Sequence, residues 1–405
     1  MRKLYYALYL TLLSPLHIGA DSITSENDIA LTADGKPYIP ASSLAGVLRQ
    51  KFQRMYPQDT LDAFGEYHST EHSSHATFYH AHFTSLANEK TSRRSILALN
   101  YNKIMTGLRH TMQVVEAGAT ACGFIEWDDT DPALTAKFEH MLSTIGTFKL
   151  GAKITRGYGK IHAEIIKKSF ELDPTHIEMW LNFDLFAADA FADGTALPCT
   201  AENLHRITVD LQVLSSPMVR QETTDFDPQT VINPDYKHTT LSDGTPFIPG
   251  TSWAGAFRRH IYHFLRDIDP QTADTKIIQL FGGRLGKDYL RSRLTFSESV
   301  ISGSTPKIIS RISVDRFTGA CANRALFTEK AYIGGHTTLE IEYDRLDAQA
   351  EQLLLYALND LHNGILSVGG LTNIGYGLLR IENIVWDGKT LPISDTHGIK
   401  REVTA

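Results

Sequence analysis

Apolar residues crowd the first dozen positions of the chain, KLYYALYLTLLSP, and β-branched and apolar residues alternate again in RITVDLQVLSSP, which begins at Arg206. Each run is closed by Ser-Pro and reads as a strand feeding a loop. A related block follows each strand: PYIPASSLAGVLR at residues 37–49 and PFIPGTSWAGAFR at residues 246–258. Ser42 and Ser43, and Thr251 and Ser252, are N-cap residue types standing before the apolar-periodic runs LAGVLRQKF and WAGAFRRHIYHFL, so a helix is predicted to start there in both copies. The landmarks continue in the same order. Phe64–Gly65 answers to Phe281–Gly282, the strand-like ATFYHAHFTS to SRLTFSES, and VVEAGATACGFIEW to AYIGGHTTLEIEY. A second amphipathic helix, ALTAKFEHMLSTIG or AQAEQLLLYALNDLHNG, leads to a glycine loop, GAKITRGYGKIHAEI or GGLTNIGYGLLRIENI. An ordered series of this kind is an internal duplication. Each copy predicts β–α–β–β–α–β, so the fold class is α+β: two tandem ferredoxin-like domains, each with its glycine-rich loop before the last strand.

Length agrees with two domains, since the chain has 405 residues. The expected boundaries are residues 1–168, an acidic linker at 169–204, a second domain at 205–386 and a tail at 387–405. No apolar run reaches the roughly 18 residues that a membrane span needs, and the N-terminal stretch, although basic and then apolar, reads as a strand because of its counterpart at residue 206. The expectation is a cytoplasmic protein without a membrane partner. Cys122, Cys199 and Cys321 lie far apart with no CxxC, which argues against a disulfide scaffold or a zinc site.

Charge is unevenly placed. The net charge is −7, and residues 169–204 hold seven acids and no Lys or Arg. Each repeat is therefore close to neutral and can carry a basic face, so mild acidity does not exclude nucleic acid. Trp180, Phe183, Phe186 and Phe191 stand among the linker acids; a disordered acidic tether has few aromatics, so part of this segment is expected to pack as a short helix over a domain or against a basic partner. The same composition also fits a solvated connector.

Several segments carry candidate chemistry. Gly151, Gly157 and Gly159 let the main chain approach a ligand closely, with Lys153, Arg156 and Lys160 adding charge. The spacing is neither a Walker loop nor a dinucleotide fingerprint, and suits a phosphodiester backbone better than a mononucleotide. In the second loop, with Gly369, Gly370, Gly375 and Gly377, Ile374 replaces Arg156, so shape is expected to count for more than charge. The helix starts, with their hydroxyls and with Arg49 or Arg258 further on, suit an anion. Between the middle strands, LNYNKIMTGLRHTMQVVEAG and VDRFTGACANRALFTEKAYIGG mix cations (Arg109, Arg316, Arg324) with bulky apolar residues, as a projecting arm that wedges between bases would. The loop after the first strand gathers Asp21, Glu26, Asp28 and Asp34 beside His17, residue types needed for metal-assisted or acid–base phosphodiester cleavage, though also for mere solubility. His68, His72, His75, His80 and His82 lack a zinc signature, and no zinc is expected.

Taken together, Ser-Pro-Leu-His-Ile-Gly, GKPYIPASSLAGVLR, the Phe-Gly pair and the ITRGYG loop resemble the RAMP superfamily, specifically the backbone subunits of type III CRISPR effector complexes, over roughly residues 3–168 and 205–386. Most such subunits carry one domain, so the chain resembles a tandem fusion of two. The resemblance implies an RRM-like fold gripping about six nucleotides of guide RNA per domain, a thumb that kinks the guide, and an aspartate that cuts complementary single-stranded target RNA with a divalent metal, Mg²⁺ or Mn²⁺. By the family's order that aspartate, and the metal's ligand, is Asp28. Other RAMP subunits and the large and small subunits of a type III complex are the implied partners. The pattern departs in places. Ala45 and Ala254 stand where the family has a lysine, and Met218 and Val219 replace the first loop's histidine and glycine. The second repeat offers Asp235, or Asp225 and Asp227, as its catalytic candidate, while Lys237 falls opposite Asp28 when the loops are aligned from their right ends. The rival readings are a metal-independent guide-processing endoribonuclease, with His17 as acid–base, and a non-catalytic guide-binding scaffold.

Overall fold

The structure, a computed structural model, describes residues 2–19, 28–66, 73–86, 91–100, 103–200, 205–222, 234–343, 345–394 and 398–399, and only the backbone of 95–100, 103–110, 221–222, 322–325 and 398. The chain forms two compact units: residues 1–94, 110–154 and 158–203 in one, and residues 95–109, 155–157 and 204–405 in the other. It is a mixed structure of helices packed on antiparallel sheet.

In the first unit the opening strand, Arg2–Leu12, lies between Thr120–Asp129 and Lys160–Glu171, antiparallel to both, with Leu4 opposite Trp127 on one side and Ser169 on the other. Ala76–Phe78 and Ala81–Ser85 extend the sheet beyond Thr120–Asp129. Alternate residues of the opening strand, Leu4, Tyr6, Leu8 and Leu10, turn towards the helices Ala41–Met55 and Pro132–Ser143. Leu44, Leu48 and Phe52 repeat every fourth residue, which sets them on one stripe of the first helix, all buried. Trp127 and Phe138 stack with ring centroids 4.1 Å apart at the centre of this core.

The opposite face of the strand is apolar too, because KLYYALYLTL hardly alternates. A segment buried on both faces needs a second cover, and the acidic segment supplies it. Its helix, Ile177–Leu181, and the residues after it place Trp180, Phe183, Leu185 and Phe191 against Tyr5, Ala7, Phe124 and Phe170. Trp180 Nε1 donates to the Tyr5 hydroxyl at 2.9 Å, and Thr195–Leu197 adds a strand beside Lys160–Glu171. The segment thus carries the short helix expected of it and an added strand that its composition does not signal.

The second unit repeats the plan with a different outer face. Its five-stranded sheet runs Leu294–Phe296, His336–Tyr343, His205–Val213, Leu379–Trp386 and Lys389–Thr390. The helix Gly250–Ile268 buries Trp253, Phe257, Ile261 and Leu265 at four-residue intervals, and Ala348–His362 lies on the same core. Here the first strand, HRITVDLQV, alternates strictly, so its far side is polar: Asp210 accepts from Thr338 Oγ1 at 2.8 Å and from Asn383 Nδ2 at 3.0 Å.

The helix starts differ from the expected capping. Ala41 and Gly250 are already helical, with Pro40 and Pro249 at the N-cap and no side-chain cap bond. Proline holds the extended conformation that ends the preceding strand, and its carbonyl accepts the first helical bonds, from Ser43 and Leu44 in one copy and Ser252 and Trp253 in the other. The four hydroxyl residues therefore sit within the first turn instead of capping it. His80 serves the first helix instead, its Nδ1 accepting from Ala41 N at 3.0 Å. Each Phe-Gly pair ends a short helix that the sequence pattern left unassigned, Thr60–Phe64 or Ala273–Phe281, with the glycine at φ 69° or 76°.

Candidate nucleic-acid interface

Three backbone segments meet at the same end of each sheet, joined by the same hydrogen bonds. In the first unit Gly159 N donates to Pro15 O, Ala152 N to His17 O and Leu150 N to Gly159 O; in the second, Gly377 N donates to Ser216 O, Gly370 N to Met218 O and Val368 N to Gly377 O. Even a side chain recurs: Ser14 Oγ accepts from Lys160 N at 2.8 Å, and Ser215 Oγ from Leu378 N at 2.9 Å. The glycines are fixed by these approaches. Gly159 has φ 75° and a β-carbon there would lie 1.8 Å from Leu150 O; Gly377 has φ 80° and the same conflict with Val368 O at 2.1 Å. Two non-glycine residues share the left-handed region at the equivalent place, Lys153 (φ 60°) and Leu371 (φ 61°). Strain held twice at one position marks a conformation the loop is built to keep. Among the described residues, the amide groups of Lys153 and Ile154, and of Leu371 and Thr372, have no hydrogen-bond partner. The first loop adds exposed Lys153 and Arg156; the second offers Leu371 and Ile374 instead.

The loop after the first strand returns in matching register. Ala30 N donates to Ile18 O and Thr239 N to Val219 O, and Leu31 pairs with Pro37 as Thr240 pairs with Pro246. This register makes Asp28 and Lys237 equivalent. Asp28 is about two-fifths exposed, with Arg93 Nη2 3.5 Å from its Oδ1. His17, on the facing segment, is 5% exposed, and its Nδ1 lies 2.7 Å from Gln113 O, the carbonyl of an arm residue. Because that oxygen can only accept, Nδ1 carries a proton. His17 thereby joins three parts: its carbonyl holds the glycine loop, its ring holds the arm, and its chain leads to Asp28.

The arms are antiparallel ribbons, Thr91–Asn100 with Lys103–Val115, and Thr305–Val314 with Cys321–Ile333. At the second tip Asp315 accepts from the amides of Phe317 and Thr318, a turn that leaves Phe317 98% exposed and Arg316 beside it in solvent.

A family model of the RAMP superfamily matches residues 9–162 and again residues 231–380. The chain belongs to the RAMP superfamily. No curated protein matches it. Membership makes it a CRISPR-associated protein with two RAMP regions.

The remaining sequence-derived RAMP residues distribute as follows. Ser42 is exposed, and Ser43, Thr251 and Ser252 are half-buried; among the described residues none of the four hydroxyls has a hydrogen-bond partner. Arg49 and the exposed Arg258 likewise have no ionic partner among the described residues. The side chains of Arg109 and Arg324 lie outside the described residues, as do Asp225 and Asp227. Asp235 is exposed, yet its carboxylate accepts from Thr328 N at 2.8 Å, so it ties the loop to the arm. Of the histidine-rich stretch, His68 and His72 lie outside the described residues. His75 contacts Asp128 O at 2.8 Å, His80 caps a helix, and His82 faces the Tyr38 ring. The triad of ligand-type side chains found among the described residues is elsewhere, Glu171, Asp173 and His176, on the exposed acidic segment.

Sequence reasoning missed two features. His238, fully buried, accepts from Val219 N at 3.2 Å and donates to Phe247 O at 3.0 Å. At the second arm Arg311, and Arg220 of the loop after the first strand, share Glu329, which is 1% exposed, at 2.6 and 3.6 Å. His238 had a signal: it aligns with Ile29, a core residue of the first repeat.

Proposed function

We propose that this chain is a tandem backbone subunit of a type III CRISPR effector complex, in which two ferredoxin-like RAMP units hold guide RNA and the first cleaves complementary target RNA. The observation carrying this reading is the duplicated junction of the loop after the first strand with the glycine loop, bond for bond the same, with a carboxylate, Asp28, at the root of the arm in one copy. Main-chain amides at Lys153 and Ile154, cations at Lys153, Arg156 and Arg49, and hydroxyls at Ser42 and Ser43 suit a phosphodiester chain. Gly151, Gly157 and Gly159, and in the second unit Gly369, Gly370, Gly375 and Gly377, keep that surface open to close approach. Thr251, Ser252 and Arg258 repeat the helix contribution, and the arms, with Arg109, Arg316, Arg324 and Phe317, splay the strands apart.

In this mechanism a target 2′-hydroxyl attacks the adjacent phosphorus, the bond to the 5′-oxygen breaks, and a cyclic phosphate and a 5′-hydroxyl result. Asp28 accepts the proton of the attacking hydroxyl, water gives a proton to the leaving 5′-oxygen, and Arg93 orients the carboxylate. Distortion of the strand by the arm supplies the in-line geometry. A Mg²⁺ or Mn²⁺ ion suits a site with one protein carboxylate and phosphate oxygens, and when bound it supplies charge neutralisation at the phosphate. The buried His17, its Nδ1 committed to Gln113, supports a positioning role over the general acid–base role of a guide-processing enzyme. The test is cleavage of labelled complementary RNA by the assembled complex. Asp28→Ala should slow one cut by about 100-fold or more while leaving guide binding intact, and EDTA should abolish it. Cleavage unmoved by both leaves the chain a scaffold.

A further inference from the structure

Where the first unit has Asp28, the second has Lys237, and a second lysine stands next to it. Tyr236–His238 runs parallel to the arm strand Cys321–Ile333, with Tyr236 beside Glu329 and Lys237 beside Lys330. Adjacent strands lie about 4.8 Å apart, so two ammonium groups rise from neighbouring positions on one face. Both side chains are half-exposed, and neither has an acidic partner among the described residues. On the other face Glu329 neutralises the arginines, Arg220 and Arg311; among the described residues nothing comparable serves the lysines. Like charges side by side on a sheet are unfavourable by themselves. Asp235, the nearby carboxylate, is held by Thr328 N.

We propose that Lys237 and Lys330 form a phosphate-binding site for the target strand, so that the second unit grips target RNA at the place where the first cuts it. This rests on the reading of the chain as a guide-loaded RNA-binding subunit. The physical case is a reversal of sign at one backbone position. Beside a polyanion a carboxylate is costly unless it does chemistry or holds a cation, whereas a lysine pair is repaid by neutralising a phosphate and releasing its counterions. A target strand held at one unit and severed at the other stays registered on its guide while the cut is made.

The experiment uses the full chain assembled with its partner subunits and guide RNA, carrying Asp28→Ala so that binding is read without cleavage, and labelled RNA complementary to the guide. Adding Lys237→Ala and Lys330→Ala should weaken target binding about tenfold and lower the salt slope, log affinity against log salt, by about 1 to 2; Lys→Arg at both positions should restore most of it. Guide affinity should not change, and with Asp28 present the cut should persist at saturating target. Unchanged target affinity and salt slope in the double variant overturn the proposal, as does a second cut that survives Asp28→Ala and disappears with Asp235→Asn. If the parent complex fails to prefer complementary over non-complementary RNA, the underlying functional reading falls first, and that outcome is separate from the lysine result.

Discussion

His238 is a neutral imidazole sealed between two backbone groups, and burial pulls its pKa from the usual 6.5 down to about 4. Its folded-state pKa is depressed, so the unfolded chain takes up the proton first. Stability is fully present above pH 6.5 and is lost as pH falls towards 4, by up to about 1.4 kcal/mol per pH unit and on the order of 3 kcal/mol in all. His238→Ala should lower the urea midpoint at pH 7.5, because Val219 N–H and Phe247 C=O lose their partner. It should also lose less than the parent between pH 7.5 and 5. An identical drop with pH in both proteins would remove His238 as the titrating group. The residue hides in the sequence because YKHTTL has no apolar period; only alignment with Ile29 reveals a core position. Lys237 was the easier case, since counting back from the shared Pro-x-Ile-Pro sets it opposite Asp28, and the hydrogen-bond register agrees.

At the scale of elements, the two helices after Pro40 and Pro249 carry glycine at the same position, Gly46 and Gly255. A methyl group added at either would meet no atom of the described residues within 4 Å, so no packing among them explains these glycines. Each costs about 1 kcal/mol against alanine in a helix. The proposed function accounts for them by close approach of guide RNA to this face, beside Ser42 and Arg49 in one copy and Thr251 and Arg258 in the other. Gly46→Ala and Gly255→Ala should together raise the thermal midpoint by several degrees while weakening guide RNA binding; a stabilised protein with full guide affinity would show that RNA does not use this face. The helices themselves were plain in the sequence from Leu44, Leu48 and Phe52. Their caps were not, because serine and threonine suggest capping wherever they precede a helix, and the proline ahead of them had already taken that place. The arms were legible only as overlong connections, since mixed cations and apolar residues carry no strand period.

At the scale of the molecule, the two copies differ most in what covers their sheets. The first opening strand is apolar on both faces and the second on one, a difference written in KLYYALYLTL against RITVDLQV. In the first unit the outer face, which RRM-type folds use to stack bases, is taken by the acidic segment. Under the proposed function RNA is then left the loop junctions and arms, and the segment's seven acids would repel nucleic acid from that flank. Phe191 is 5% exposed and stacks on Phe124 with ring centroids 5.7 Å apart. Phe191→Ala should therefore cost about 3–5 kcal/mol and open the segment to proteolysis. Guide affinity, measured below the new unfolding midpoint, should be unaltered, because the contacts proposed for RNA lie on other edges of the unit. Guide binding lost in step with release of the segment would instead place the outer face within the RNA path, and the cover would have to be read as part of the grip.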